Sequence, residues 1–161
     1  MDMKSFLMLR LEIEALNSEF AYLIDHDQSS KVSDLFTEDG VYGRSTGEKS
    51  VGRLAIQESY KRRQDHGPRT ARHIFSNLRL TRLENDLVGG SCILTLYARD
   101  GYPPHPAEPM IIADYDDIYQ QTDSGRWLFK QRLITWIFVR EGASSPLALG
   151  AKKGKDLEGS K

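Results

Sequence analysis

Hydrophobic positions near the start of the chain repeat at spacings of three and four residues. This stripe, formed by Leu9, Ile13, Leu16, Phe20 and Leu23, predicts one amphipathic helix over residues 5–27. The segment "FAYLI" then places non-polar residues in succession, which at about 100° per residue cover the whole circumference of a helix. We therefore expect the end of this helix to be buried on every side.

The middle of the chain carries shorter patterns. In chain order they predict a short helix capped by Ser29 or Ser30, a brief strand at Val41 and Tyr42, a polar loop over residues 43–50, and a helix over about residues 52–66 that Gly67 and Pro68 end. Each of these elements connects the first helix to the long pattern that follows.

From residue 70 onward the pattern alternates with a period of two residues. It predicts four long strands, over about residues 70–84, 87–99, 109–121 and 126–140, separated by turn-forming segments. Consecutive strands favour a meander of antiparallel hairpins. Helices followed by a long antiparallel sheet indicate the α+β class, with a strongly curved, cone-shaped sheet that encloses a pocket on its concave side.

Composition and charge narrow the classes of function. A chain of 161 residues suits one domain, here residues 1–145, and the Lys- and Gly-rich residues 146–161 are expected to form a flexible tail. A formal net charge of −1 without a basic stripe disfavours nucleic-acid binding. Because no apolar run is long enough for a membrane helix and the N-terminus lacks a signal-peptide plan, we expect a cytoplasmic protein that binds no membrane.

His73 interrupts an otherwise regular strand pattern in "TARHIFSNLRL". Strict alternation places His73, Phe75 and Asn77 on one face, a mixture typical of a pocket lining. A structural or exposed histidine is the alternative interpretation.

Asp25 directly follows the apolar segment at the end of the first helix. A carboxylate near a helix C-terminus faces the negative end of the helix dipole, and a buried carboxylate requires a partner. A histidine would serve, and the pair would form a base and the group that orients it. Tyr22, one turn earlier, could polarise a substrate oxygen or could be an ordinary core tyrosine.

The later strands add further candidates. One of Asp114, Asp116 and Asp117 could line the pocket, but alternation does not say which. Arg132 lies between apolar residues and is either an inward-facing cation or an arginine that reaches solvent along the outer face. Trp136 shares its face.

Metal and cofactor chemistry are not indicated. The four histidines are scattered without metal-ligand spacing, and no glycine-rich phosphate loop or G-x-S-x-G motif is present. Cys92, the only cysteine, lies in an apolar strand pattern typical of an inert buried thiol. Any catalysis is therefore expected to be acid–base chemistry without a metal or cofactor.

Three segments resemble the SnoaL-like proteins of the nuclear transport factor 2-like superfamily. They are "EIEALNSEFAYLIDHDQSSKVSDLFTEDGVYG", "TARHIFSNLRL" and "YDDIYQQTDSGRWLFKQRLI", and the resemblance covers about residues 8–140. It implies a cone of curved antiparallel sheet and helices around a pocket. Relatives of this kind include scytalone dehydratase, lindane dehydrochlorinase, bile-acid dehydratases, polyketide cyclases and the mainly structural beta subunits of ring-hydroxylating dioxygenases.

The resemblance also implies roles for individual residues. Asp25 and His73 match the aspartate–histidine dyad of the dehydratase and dehydrochlorinase branches, and Arg132 matches an arginine of the dehydrochlorinase pocket. The predicted catalytic residues are His73, Asp25 and Tyr22. The predicted substrate-binding residues are Asn77, Arg132, Phe75, Tyr42 and Trp136.

Two classes of function follow from these expectations. The first is a cofactor-independent lyase or isomerase, dehydratase-like, that removes a proton from a small hydrophobic ring compound; cyclisation of a polyketide is a related possibility. The second is a non-catalytic module that binds a small ligand or accompanies an oxygenase. In either case the resemblance implies a homodimer or homotrimer.

Overall fold

The computed structural model describes residues 2–83 and 87–143, so the predicted tail and the turn over residues 84–86 lie outside the described residues. The elements are α1 (Met3–Asp25), a 3-10 helix (Ser29–Leu35), β1 (Phe36–Arg44), β2 (Lys49–Val51), α2 (Arg53–Gln64), β3 (Arg69–Arg82), β4 (Val88–Asp100), β5 (Ile111–Gln121) and β6 (Trp127–Val139). The predicted capping by Ser29 or Ser30 is wrong, because Gln28 precedes the 3-10 helix without a side-chain cap.

The strands form one curved, unclosed sheet in the order β2-β1-β6-β5-β4-β3. The predicted α+β class and the meander of four long antiparallel strands are confirmed. The sheet is not wholly antiparallel, because β1 pairs with β6 in parallel. The predicted loop over residues 43–50 is confirmed for residues 45–48, and its two ends belong to β1 and β2, which form a hairpin. No helix in the described part of the chain combines the length and apolarity needed to cross a membrane.

The predicted stripe of α1 packs into the core. All five of its members are buried, and they contact side chains from β1, β5 and β6. Asp2 begins the helix by accepting a hydrogen bond from the backbone N–H of Ser5 at 2.9 Å. The helix end is not buried on every side, because Tyr22 is 50% exposed. The sheet covers one face of α1, and the opposite face meets solvent.

A β-bulge interrupts the alternation of β3. The register of β3 on β4 shifts between Ser76 and Arg79, so that Asn77 and Leu78 together oppose Cys92. Asn77 adopts the left-handed backbone conformation with φ of +56°, which asparagine tolerates better than most residues. Here β3 contains one more residue than the matching part of β4, so the alternation of its faces is interrupted at the bulge.

The bulge changes which side chains face the core. Three side chains of β3 pack against the core: Phe75 before the bulge, Leu78 within it and Leu80 after it. Asn77 is left exposed to solvent. The expectation that His73, Phe75 and Asn77 share one inward face is therefore wrong for Asn77.

A buried guanidinium ties α1 to the sheet. Arg132 on β6 is fully buried and lies directly opposite Asp117 on β5. Its Nε donates to Oδ1 of Asp117 at 3.0 Å and its Nη2 to Oδ2 at 2.7 Å. Nη2 also donates to the side-chain oxygen of Asn17 on α1, and Tyr119 donates its hydroxyl to Asp117 at 2.7 Å. Burial acts to lower the pKa of Arg132, but the charge and hydrogen bonds of Asp117 outweigh it and raise the pKa.

Aromatic rings enclose the remaining faces of this guanidinium. The ring centroids of Phe129, Tyr115 and Phe20 lie 4.0, 4.3 and 4.6 Å from its central carbon. Such contacts are stabilising when the cation is removed from water. The electron-rich rings compensate for Nη1, which has no hydrogen-bond acceptor within the described residues.

Removal of Asp117, the ion-pair partner of Arg132, tests how much this buried pair contributes to stability. Asp117→Ala should lower the free energy of unfolding by about 3–5 kcal/mol, because it leaves an uncompensated buried charge. Asp116→Ala is the matched control, since Asp116 is exposed on the same strand; it should change the value by less than about 0.5 kcal/mol. Urea denaturation of both variants measures the difference, and equal stabilities would contradict the assignment.

The left-handed conformation of Asn77 gives a second expectation. Asn77→Gly should stay close to wild-type stability, whereas Asn77→Val should lose about 1–2 kcal/mol, because a β-branched side chain disfavours positive φ. Ser76→Val, next to the bulge but with ordinary strand geometry, provides the control. The same urea titrations check this, and an Asn77→Val variant as stable as Ser76→Val would exclude the strain.

Candidate active site

Asp25, the last residue of α1, lies against the free edge of β3. Its Oδ2 accepts a hydrogen bond from the backbone N–H of His73 at 2.8 Å, and its Oδ1 accepts one from Nδ1 of the same residue at 2.6 Å. Because β3 pairs with β4 on one side only, this backbone N–H has no strand partner. The side chains are 6% exposed for Asp25 and 11% exposed for His73, so water competes weakly for these contacts.

This geometry determines which ring nitrogen is available for chemistry. A carboxylate oxygen accepts and does not donate, so the proton of a neutral His73 ring lies on Nδ1 and the lone pair on Nε2. His73 lines a cavity, and the Nε2 edge is the part of the ring left to face it. Among the described residues none is hydrogen-bonded to Nε2. The pair can thus act as a base and its orienting group.

The cavity lies between the concave face of the sheet, the C-terminal part of α2 and the segment after α1. Its volume is about 90 Å³. The apolar part of the wall consists of Ile24, Ala71, Leu94, Leu96, Ala98 and Ile134. The polar part consists of His73, Tyr42, Tyr60, Tyr115, Ser29, Asp27, Arg63, Gln64 and Arg69. A concave wall that combines apolar side chains with placed polar groups is typical of a small-molecule site.

Three buried phenols stand in this wall. The rings of Tyr42 and Tyr60 stack with their centroids 5.6 Å apart. Burial raises the pKa of Tyr42, and it raises the pKa values of Tyr60 and Tyr115 well above the usual range. All three hydroxyls therefore stay protonated at neutral pH and can donate hydrogen bonds. The Tyr60 hydroxyl is buried and makes no hydrogen bond of regular geometry within the described residues, and the Tyr42 hydroxyl is the polar group beside it.

Tyr22, predicted to act beside Asp25, lies elsewhere. It is half-exposed and stacks on His26 with the ring centroids 4.2 Å apart. Three residues along a helix rotate the side chain by about 60° relative to Asp25, which is enough to turn it from the edge of β3 to solvent. Tyr22 is thus not among the residues that line the cavity, and its catalytic role stays a prediction.

Of the five predicted substrate-binding residues, Tyr42 lines the cavity and the others do not. Phe75 packs in the core, 5.2 Å from the Arg132 guanidinium. Asn77 contributes to a separate surface groove between α1 and β3.

Arg132 and Trp136 lie behind or beyond the cavity wall. Arg132 faces inward, as one alternative proposed, but its donors are engaged by Asp117 and Asn17. The guanidinium of Arg44 lies over the ring of Trp136, with its central carbon 3.9 Å from the ring centroid. Neither residue lines the cavity, and their roles in substrate binding stay predictions.

The structure answers the question left open for the three aspartates. Asp117 faces inward and is 4% exposed, whereas Asp114 and Asp116 are exposed. Asp117 serves Arg132 rather than the cavity. No sequence signal identifies it, because the register that places Asp117 directly opposite Arg132 shifts by one residue between Ile118 and Tyr119.

The sequence analysis missed most of the cavity wall, including four of its large polar residues. These four are Tyr60, Arg63, Arg69 and Tyr115. Arg63 belongs to the basic last turn of α2, a common feature of solvated helix ends. Arg69 begins a strand next to a turn. Tyr60 and Tyr115 are indistinguishable by pattern from core tyrosines.

Among the described residues, neither a metal-ligand cluster nor a reactive thiol is found at this site. Within residues 2–83 and 87–143 no group of three or more His, Cys, Asp or Glu residues is placed to hold a metal ion. Cys92 is buried, and burial raises the pKa of its thiol to about 11, so it is protonated at neutral pH.

Solved structures share this fold. A putative scytalone dehydratase from Novosphingobium aromaticivorans aligns with a TM-score of 0.73 and 18% identity over 85% of this chain and 89% of that chain. ActVI-ORFA from Streptomyces coelicolor aligns with a TM-score of 0.69 and 16% identity over 80% and 96%. The beta subunit of a putative aromatic-ring-hydroxylating dioxygenase from N. aromaticivorans gives 0.70 and 15% over 84% and 94%.

Comparison with curated protein sequences gives no significant match. The family model for the SnoaL-like domain matches residues 6–133, which include α1, the dyad and the first half of β6. That span covers most of the chain and agrees with the shared fold of the solved structures. The chain therefore belongs to the SnoaL-like domain family.

Proposed function

We propose that this protein is a cofactor-independent lyase or isomerase in which His73 removes a proton from a carbon next to a carbonyl group. The observation that supports the proposal most directly is the carboxylate of Asp25, which holds both the backbone N–H and Nδ1 of His73. This double contact fixes the position of the ring and its tautomer together. It leaves Nε2 as the base toward the cavity.

Elimination of water illustrates the reaction class. Nε2 takes the proton from the carbon next to the carbonyl, and the electron pair of that C–H bond forms the new C=C bond. The bond from the neighbouring carbon to its hydroxyl group breaks, and the hydroxide takes up the proton held on Nε2 and leaves as water, which returns the ring to its neutral form. Asp25 stabilises the imidazolium that His73 becomes. Isomerisation and aldol cyclisation begin with the same deprotonation, so the dyad would serve them too.

Developing negative charge on the carbonyl oxygen requires hydrogen-bond donors. Tyr60 is the residue we propose for this role, because its hydroxyl is protonated, buried and without a partner within the described residues. Tyr42, stacked on it, is a second donor in the same wall. Preorganised donors in a water-poor site stabilise a transition state more than they would in water.

A non-catalytic module is the second candidate. It is supported by the fold shared with the dioxygenase beta subunit and by the small volume of the cavity. Exposed apolar side chains at the end of β6, Ile137, Phe138 and Val139, offer a surface for another chain. The homodimer or homotrimer implied by the family stays a prediction, as does the absence of nucleic-acid and membrane partners.

The dyad gives the first test of the enzyme proposal. Cyclic β-hydroxyketones, beginning with 3-hydroxycyclohexanone, would be screened for formation of the conjugated enone by ultraviolet absorbance. For any compound that reacts, His73→Ala should lower kcat/KM by roughly 10²–10⁴-fold. Asp25→Asn should act similarly, because its side-chain amide can donate to Nδ1 and thereby favour the tautomer protonated on Nε2.

His66→Ala is the control for the dyad, since His66 is exposed and contacts the backbone of its own helix. It should leave kcat/KM unchanged. Wild-type rates in either dyad variant would refute the proposal. If the wild-type protein yields no enone from any member of the panel and copurifies with a larger chain, the non-catalytic module is the better interpretation.

Tyr60→Phe separates catalysis from stability. Loss of one oxyanion donor should lower kcat by about 10²-fold. The free energy of unfolding should stay the same or rise, because the variant removes a buried hydroxyl without a partner. Tyr102→Phe, at a residue 79% exposed, is the matched control. Full kcat in the Tyr60→Phe variant would exclude the donor role.

A further inference from the structure

Two arginines stand in the wall of the cavity. Arg63 extends from the last turn of α2, and Arg69 is the first residue of β3. Both line the cavity, and their side chains are only 17% and 15% exposed. Guanidinium groups held this far from bulk water interact more strongly with a bound charge than exposed groups do.

One carboxylate serves both arginines. Oδ1 of Asp100 lies 2.5 Å from Nη2 of Arg63 and 3.6 Å from Nη1 of Arg69. Burial, together with the neighbouring charge of Arg63, lowers the pKa of Arg69, which shows how closely the two cations share this space. Asp27 also lines the cavity but is exposed and makes no ion pair with either arginine among the described residues. The pair therefore retains capacity for a second anion.

Unused donors point in the same direction. Nε of Arg63 is buried without a hydrogen-bond acceptor within the described residues. The hydroxyl of Tyr60, three residues earlier on the same helix, is in the same state. Buried donors are normally paired, and both of these belong to cavity-lining residues. An acceptor-rich ligand group in the cavity would satisfy them.

The separation of Arg69 from His73, the proposed base, limits the length of a ligand that contacts both. Arg69 and His73 lie on the same face of β3, four residues apart, which places their Cα atoms about 13 Å from each other. A guanidinium side chain can cover part of that span. The remaining distance suits a ligand in which one small ring separates the reacting carbon from a charged substituent.

We propose that Arg63 and Arg69 bind a carboxylate group of the substrate, so that the substrate class is a small cyclic or aromatic carboxylate. The inference rests on the proposed function only in taking this cavity as the substrate site. The planar fork of a guanidinium matches the two oxygens of a carboxylate. These arginines would select the substrate and orient it, with the carboxylate on the guanidinium groups and the reacting carbon beside His73.

Binding of matched probes tests the inference without turnover. Isothermal titration calorimetry would compare benzoate with its uncharged analogue benzamide. Wild-type protein should bind benzoate roughly 10- to 100-fold more tightly, the range expected for hydrogen bonds to a charged group. The Arg63→Gln and Arg69→Gln double variant should lose this preference. The Arg63→Lys and Arg69→Lys double variant should keep part of it, since it keeps both charges.

Two control variants make the outcomes distinct. Arg126→Gln removes a charge from the exposed turn between β5 and β6 and should leave the preference intact. His73→Ala should also retain it. Equal affinities of the wild-type protein for the two probes, absence of saturable benzoate binding at millimolar concentration, or a preference that survives the glutamine double variant would each overturn the inference. None of these results bears on the dyad, which is tested with an uncharged ketone.

Discussion

The burial of one guanidinium is the constraint on which the rest of this structure depends. A fully buried arginine must have its charge and most of its donors satisfied, and Arg132 obtains this from β5, from α1 and from a surrounding group of aromatic rings. The contact with Asn17 fixes α1 against the sheet at one point. Eight residues later, about 12 Å along the helix, α1 ends at Asp25. The network far from the cavity therefore helps to position the carboxylate that holds the candidate base.

The edge position of β3 explains why the Asp25 carboxylate both pairs with the backbone of His73 and orients its imidazole. An edge of a sheet presents backbone N–H groups that need partners, and here α1 supplies some of them from its side chains and terminus. Arg10 donates to the carbonyl of Leu78 at 2.9 Å, and Asp25 accepts from the N–H of His73. Because Asp25 is held by the backbone of His73, its second oxygen meets the imidazole at a fixed distance. Coverage of an edge and orientation of a base are thus achieved by one side chain.

The class of fold and the dyad could be predicted because they depend on long-period signals and on residues with few alternatives. The stripe of α1 and the alternation of the later strands are each repeated many times, and an aspartate after an apolar helix end calls for a partner. Asn77 shows where such reasoning stops. One extra residue in a strand reverses every later assignment of faces, and the alternation itself contains no mark of the bulge.

The other errors have a related cause. Tyr22 and Trp136 were assigned to the cavity by their proximity in sequence or by strand alternation, but the curvature of the sheet decides which part of a face encloses space. The sequence analysis did not select Arg63, because a basic residue in the last turn of a helix is ordinarily explained by the helix dipole. Its function as a wall of the cavity depends on the packing of α2 against the 3-10 helix and β1, contacts between segments that no local pattern specifies.

The arrangement of polar groups in the cavity follows a physical order. Phenols and an imidazole occupy the buried wall, where neutral groups are cheaper to desolvate than permanent charges. The permanent cations, Arg63 and Arg69, are also largely buried, and Asp100, itself 68% exposed, neutralises part of their charge. An ionised substituent on a ligand would lie against these cations, and the reacting carbon would enter the apolar interior. In that interior a charge formed during reaction interacts strongly with the few donors present, which favours a transition state over its uncharged ground state.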